Sequence, residues 1–223
     1  MKKLLALLLT AMLVVSMAAC GDSAETPATT TAPEATDPAP EATKPPEPTT
    51  VVGTLYTTFG AALKLDYNEN GTVLAITGTN EAGTTIANAV QNQAGRACVF
   101  VLRTILRYAA ENNLLGDAKT MTVRVGHGDP IPGKDFFETI ITDCQYLADE
   151  ECTGIRMYAI EKAYLDAQGN LTPETAKDLA ARYFSVKAEE LTVPETTQEG
   201  VYTFTLGDKT CTVDAFDGNA VGA

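Results

Sequence analysis

Between Gly21 and Thr50 the chain contains no aromatic residue and no Leu, Ile or Val; Pro, Thr, Ala and Glu dominate. A segment without apolar surface cannot offset the entropy of ordering its backbone, so it is expected to stay unfolded. The core must therefore come from Val51 to Ala223. Those 173 residues are enough for one domain or two small ones. The prolines favour extended polyproline II, which makes the spacer semi-rigid, with a reach of at most roughly 90 Å at about 3.1 Å per residue.

Ahead of the spacer, Lys2 and Lys3 precede an apolar run from Leu4 to Val15, and Ala18 and Ala19 stand before Cys20. A charged start, a short apolar stretch and a small-residue cleavage site read as a secretory signal over residues 1–19. The run is too short for a comfortable membrane span of about 20 residues. Met17-Ala18-Ala19-Cys20 resembles the lipobox of bacterial lipoproteins. The resemblance implies cleavage before Cys20, lipid on its thiol with acyl chains such as palmitate, and residues 20–50 as a linker. The expected address is the extracytoplasmic side of a cell membrane, on a Gram-positive surface. Each buried CH₂ of an acyl chain contributes about 0.8 kcal/mol, so a multiply acylated cysteine is a stable anchor.

Loss of Lys2 and Lys3 with the leader takes the formal charge from -13 to -15. Such a chain repels nucleic acid, which is excluded as a partner. Four cysteines follow Cys20: Cys98, Cys144, Cys152 and Cys211. In an exported chain they can form two disulfides, whereas Cys98 and Cys144 also fit apolar helical stripes as free buried thiols. Both readings stay open. No CxxC is present, so neither a zinc nor a redox site is expected.

Strands are expected over Val51–Thr57, Ala62–Tyr67 and Thr72–Thr77, the last two joined by a hairpin at Asn70-Gly71. A weak helix is expected at Thr84–Gln91 and a stronger one at Arg96–Leu115, with Gly116 as its stop. Thr120–Val125 alternates as a strand, Asp135 and Glu138 have capping-box spacing for the next helix, and Ile155–Ile160 reads as another strand. Thr172 and Pro173 open a last helix, and strands Gly200–Leu206 and Lys209–Ala215 close the chain. Helices mixed with mainly antiparallel hairpins place the fold class as α+β, in two small modules.

The run Leu63 to Gly83, with Asn68-Glu-Asn-Gly71 and Asn80-Glu-Ala-Gly83, then Gly95, an amphipathic helix and the strand Met121–Val125, resembles the extracytoplasmic middle domain of RsgI-like anti-sigma factors. The resemblance implies an α+β module over residues 51–165. In that family an Asn-Pro bond just before this region is a self-cleavage point. The matching positions here are Thr58, Phe59, Gly60, Ala61 and Ala62, so self-cleavage is not implied. Residues 166–223 resemble a PepSY domain through Leu171-Thr-Pro-Glu-Thr-Ala and the ending Val213-Asp214, Gly218 and Val221. That resemblance implies peptidase restraint or extracellular sensing, and no catalytic residue defines the family.

Several constellations are weighed against blander readings. Gly128 to Asp135 approximates a phosphate-binding loop, but Asp135 replaces the magnesium-ligating hydroxyl and Pro130 and Pro132 remove amide donors. A capped loop fits better. Asp66 to Gly71 begins like a calcium loop yet carries Thr77 at the bidentate position, so a hairpin is favoured. His127 is the one histidine and Ser185 the one serine after the linker, and neither has a catalytic context. Asp149, Glu150 and Glu151 suit a solvated helix end better than a glycosidase pair. Tyr56, Phe59, Tyr67, Tyr146, Tyr158 and Tyr202 could line a groove, although strand aromatics more often pack.

No catalytic, metal or cofactor site is therefore expected. The leading expectation is a non-catalytic surface lipoprotein that binds an extracytoplasmic protein or peptide in envelope sensing or peptidase regulation. A carboxylate-based cell-surface hydrolase and a polysaccharide-binding module are the alternatives.

Overall fold

Alternation of apolar and polar residues shapes the first sheet. Strands β1 (Gly53–Thr58), β2 (Ala62–Tyr67) and β3 (Val73–Gly78) form an antiparallel meander, with Leu55, Leu63, Leu65, Tyr67 and Val73 buried on one face. These elements come from a computed structural model that describes residues 47–151, 153–192 and 200–222. The signal segment, Cys20, the linker as far as residue 46, and Cys152 lie outside the described residues.

β4 (Thr120–Val125) pairs antiparallel with β1, and β5 (Arg156–Ile160) runs parallel to β4, giving the order β3-β2-β1-β4-β5. A parallel neighbour needs a crossover. Helix α3 (Phe136–Glu150) supplies it, alongside α1 (Glu81–Val90) and α2 (Cys98–Glu111). Ile86, Val101, Leu102, Ile105, Ile140 and Leu147 bury their side chains in the cluster that contains Leu55, Leu65, Met121 and Val123. Each such side chain contributes about 1.5–3 kcal/mol of burial.

Helix ends differ from the sequence expectation: α1 begins at Glu81 rather than Thr84, because Asn80 caps it there by accepting from the Gly83 amide. α2 stops at Glu111, before Gly116, because Asn113 takes a left-handed φ of 56°. The Leu114 amide then donates to the Ala109 carbonyl and the Asn113 amide to Ala110, a Schellman closure that turns the chain early. At α3, the Asp135 side chain makes no cap bond. Its φ of -97° and ψ of 12° depart from the extended backbone that aims a capping oxygen at the helix amides, so the expected capping box is not formed.

The C-terminal elements follow the sequence closely. Thr172 caps α4 (Pro173–Phe184) by accepting from the Thr175 amide, with Pro173 in the first turn. β6 (Val201–Leu206) and β7 (Lys209–Asp214) pair antiparallel, and a short β8 (Ala220–Gly222), absent from the sequence expectation, extends them in the order β6-β7-β8. Leu171, Ala176, Leu179, Phe204, Cys211 and Val213 form a second buried cluster, which Ile160 of β5 joins. The class is α+β.

Cys98 and Cys144 are free thiols buried in the first cluster and Cys211 is a free thiol buried in the second. Burial pushes all three thiols up to about 12. No disulfide joins them, so of the two readings the free thiol describes these three, and Cys152 lies outside the described residues.

A candidate binding cleft beside the β1–β2 turn

The β1–β2 turn is Phe59-Gly60-Ala61, in which Phe59 N–H donates to the Ala61 carbonyl and Gly60 adopts φ 94°. Two segments hold it from opposite sides. Asn80 accepts from the Ala62 amide at 3.1 Å and from the Gly83 amide at 2.8 Å, while its own amide donates to the Gly60 carbonyl at 2.8 Å. One side chain thus caps α1 and fastens the turn. Gly83 is required beside it, because a Cβ there would run into the Ala62 carbonyl oxygen. The Asn80-Glu-Ala-Gly83 motif is a strut for the turn.

The other hold comes from the loop Asp214–Asn219, between β7 and β8. Asn219 Oδ1 accepts from the Gly60 amide at 3.2 Å, and the Asp217 carbonyl accepts from the Thr122 hydroxyl at 2.6 Å. Asp214 Oδ1 shapes the loop by accepting from the Phe216 and Asp217 amides.

Arg124 is the centre of this junction. It lies on β4 opposite Tyr56 and next to Ile160, on the sheet face away from the first cluster, and is 1% exposed. Its Nη1 donates to the Phe216 carbonyl and its Nη2 to the Gly169 carbonyl at 3.1 Å. Its guanidinium lies 4.2 Å from the centroid of the Phe216 ring, which in turn meets Tyr56 edge-on at 5.0 Å. Burial pulls the guanidinium pKa down, opposed by the nearby Asp217, Tyr56 and Asp214. Nε has no partner.

Between the turn and the C-terminal sheet lies a cleft of about 490 Å³. Phe59, Ala82, Leu115 and Asp117 stand on one wall, Tyr183, Lys209 and Val221 on the other. Among the described residues β8 is the edge of its sheet, and no further strand pairs with its outer side. Apolar surface, one cation, one anion and an unpaired strand edge suit recognition of an extended chain, with main-chain bonds supplying affinity and side-chain pockets selectivity.

Residues singled out in the sequence are scattered. His127 is exposed and packs against Gly169, beside a separate recess of about 330 Å³ that includes Asp129 and Lys162. Ser185 is the left-handed C-cap of α4. The loop after β4 is pinned structurally: Asp129 accepts from the Thr54 amide, and Tyr67, whose pKa burial raises, donates to the Pro130 carbonyl at 2.7 Å. The calcium-like stretch is a hairpin in which Asp66 accepts from Thr54 and Asn68 Oδ1 accepts from the Asn70 and Thr72 amides. At the end of α3, Asp149 pairs with Arg156 at 3.1 Å and Glu151 with Arg107 at 3.5 Å. Phe59, Tyr67 and Tyr202 are buried, Tyr56 and Tyr158 half-buried, and Tyr146 is exposed on α3, so the six aromatics form no row. Among the described residues, no three His, Cys, Asp or Glu side chains gather as a metal-binding group.

Arg124, Asp217 and the unpaired edge of β8 went unnoticed in the sequence. The arginine did leave a signal, a cation in the middle of the alternating strand Thr120-Met-Thr-Val-Arg-Val125. No family model and no curated protein matches the chain.

Proposed function

We propose that the chain is a lipid-anchored extracytoplasmic protein whose folded portion binds a protein or an extended peptide, in envelope sensing or peptidase regulation. The observation that carries the reading is the cleft, with walls drawn from both buried clusters and an open strand edge along one of them. The sequence supports the address through the lipobox-like tetrad ending in Cys20 and a spacer that stands the folded portion off the surface. The resemblances to an anti-sigma factor sensor domain and to PepSY domains point to the same class of role.

Cys20→Ala removes the proposed acyl attachment. Cell fractionation is expected to move the protein from the membrane pellet to the soluble extracytoplasmic fraction. Retention in the pellet, with the leader cleaved, would contradict lipid anchoring.

Binding is tested with a photoactivatable residue in place of Val221, which is 40% exposed on the cleft wall, and in place of Tyr146, 69% exposed on α3, as the comparison. Irradiation of intact cells is expected to give a discrete adduct from Val221 and none from Tyr146. Equal or stronger capture at Tyr146 would remove the cleft from the proposal.

A further inference from the structure

The recess beside His127 shares no residue with the cleft and opens at the carboxyl ends of the one parallel strand pair, β4 and β5. The segments that leave those strands, residues 126–135 and 161–172, part at the same end of the sheet. Crevices form between connections at such an end. Here the space is about 330 Å³, at the lower end of the range for small-molecule sites and too little for a polymer segment.

Its lining combines an apolar bed with three polar side chains. Val125 and Ile160, the last residues of the two strands, are buried and line the recess with Phe137 and Leu165. Asp129, His127 and Lys162 supply the polar groups. Two of them are seated by glycines. Asp129 Oδ2 accepts from the Thr54 amide at 2.9 Å and lies so close to Gly126 that a Cβ there would collide with it, while Oδ1 keeps its capacity to accept. The His127 ring rests on Gly169, where a Cβ would stand 2.9 Å from the imidazole Cγ. Gly169 is held in turn, because its carbonyl accepts from Arg124 Nη2 and the Asp166 side chain closes its turn through the Gln168 and Asn170 amides. Lys162 brings a cation from the short helical turn Lys162–Tyr164.

We propose that the recess binds a free apolar amino acid. Asp129 accepts from its ammonium group, Lys162 and His127 donate to its carboxylate, and its side chain lies on Val125, Ile160 and Phe137. The charges select a zwitterion. A ligand that is only anionic would meet Asp129 and the field of a chain whose net charge is -13, and one that is only cationic would meet Lys162. A ligand carrying both signs gains a charge-assisted bond at each end.

His127 is the one histidine in the chain, so its imidazole gives a single set of NMR signals. L-leucine is titrated into the full chain at fixed pH while the His127 Cε1–H resonance is followed. A saturable shift is expected. Isocaproate, which lacks the ammonium group, and isoamylamine, which lacks the carboxylate, are expected to bind at least about tenfold more weakly, the loss of one charge-assisted bond. Lys162→Gln, at an exposed position, is expected to weaken leucine by about tenfold as well, and Lys209→Gln, on the wall of the cleft, to leave it unchanged. No saturable shift with leucine would overturn the proposal, as would isocaproate or isoamylamine binding as well as leucine. Equal weakening by the two lysine variants would also overturn it. If Lys162→Gln does not fold, the comparison of the three compounds on the wild type decides. Loss of the cleft as a peptide site would leave these results unchanged, since the two sites are separate.

Discussion

Arg124→Met is expected to destabilise the folded portion by about 3 kcal/mol, read from the urea midpoint by circular dichroism. Two opposing effects set the size. Methionine removes the desolvation burden of a buried cation, and replacing buried charge with apolar volume is often neutral. Arg124, however, is bonded to the carbonyls of Phe216 and Gly169 and lies over the Phe216 ring. Methionine cannot donate, so both carbonyls would lose their partner, at about 1.5–3 kcal/mol for each bond to a charged group. The lost bonds win. Arg124→Lys keeps the charge without the planar fork and is expected to recover only part of the loss, because one ammonium cannot reach both carbonyls with the same geometry. A methionine variant as stable as the wild type would show that the junction is held by other contacts.

Gly83→Ala is expected to lower stability by about 2 kcal/mol, against the prediction of helix propensity. Gly83 lies in the first turn of α1, where alanine by itself would favour the helix by up to about 1 kcal/mol. The added methyl would meet the Ala62 carbonyl oxygen, which is fixed by the β1–β2 hairpin and by the Asn80 strut. Backbone cannot rotate away as a flexible side chain can, and overpacking of this kind costs about 1–3 kcal/mol or more. Thermal unfolding supplies the sign. A rise in the melting temperature would mean that α1 and β2 do not approach as closely as described.

Both positions bear on what the sequence made legible. The period-two strands, the Asn-Gly hairpin, the amphipathic α2 and α3 and the capped start of α4 are local patterns, and each element is present, although α2 ends four residues before its pattern does. The Asn80-Glu-Ala-Gly83 motif could be read as a resemblance but not as a strut. Its partners Gly60 and Ala62 lie about 20 residues away across a hairpin, and the need for glycine comes from a carbonyl on another strand.

Long-range features were less visible still. Arg124 meets Gly169 and Phe216 across 45 and 92 residues, and no local period encodes that meeting. The three-residue β8 was hidden because a run ending Asn219-Ala-Val-Gly222 is too short to alternate. The cleft depends on both, since its far wall is β8 and its near wall is the turn that Asn80 and Asn219 hold. The free state of Cys98, Cys144 and Cys211 was equally open in the sequence, where an even count of exported cysteines and an apolar helical stripe argued in opposite directions.

Arg124 joins the C-terminal sheet to the first sheet, beside the cleft between them. Hydrogen exchange followed by mass spectrometry, on the full chain and on Arg124→Met under identical conditions, tests it directly. The expected map shows β6, β7 and α4 losing protection in the variant, while β2, β4 and α2 keep theirs. Loss spread evenly over both sheets, or unchanged protection of β7, would contradict the claim.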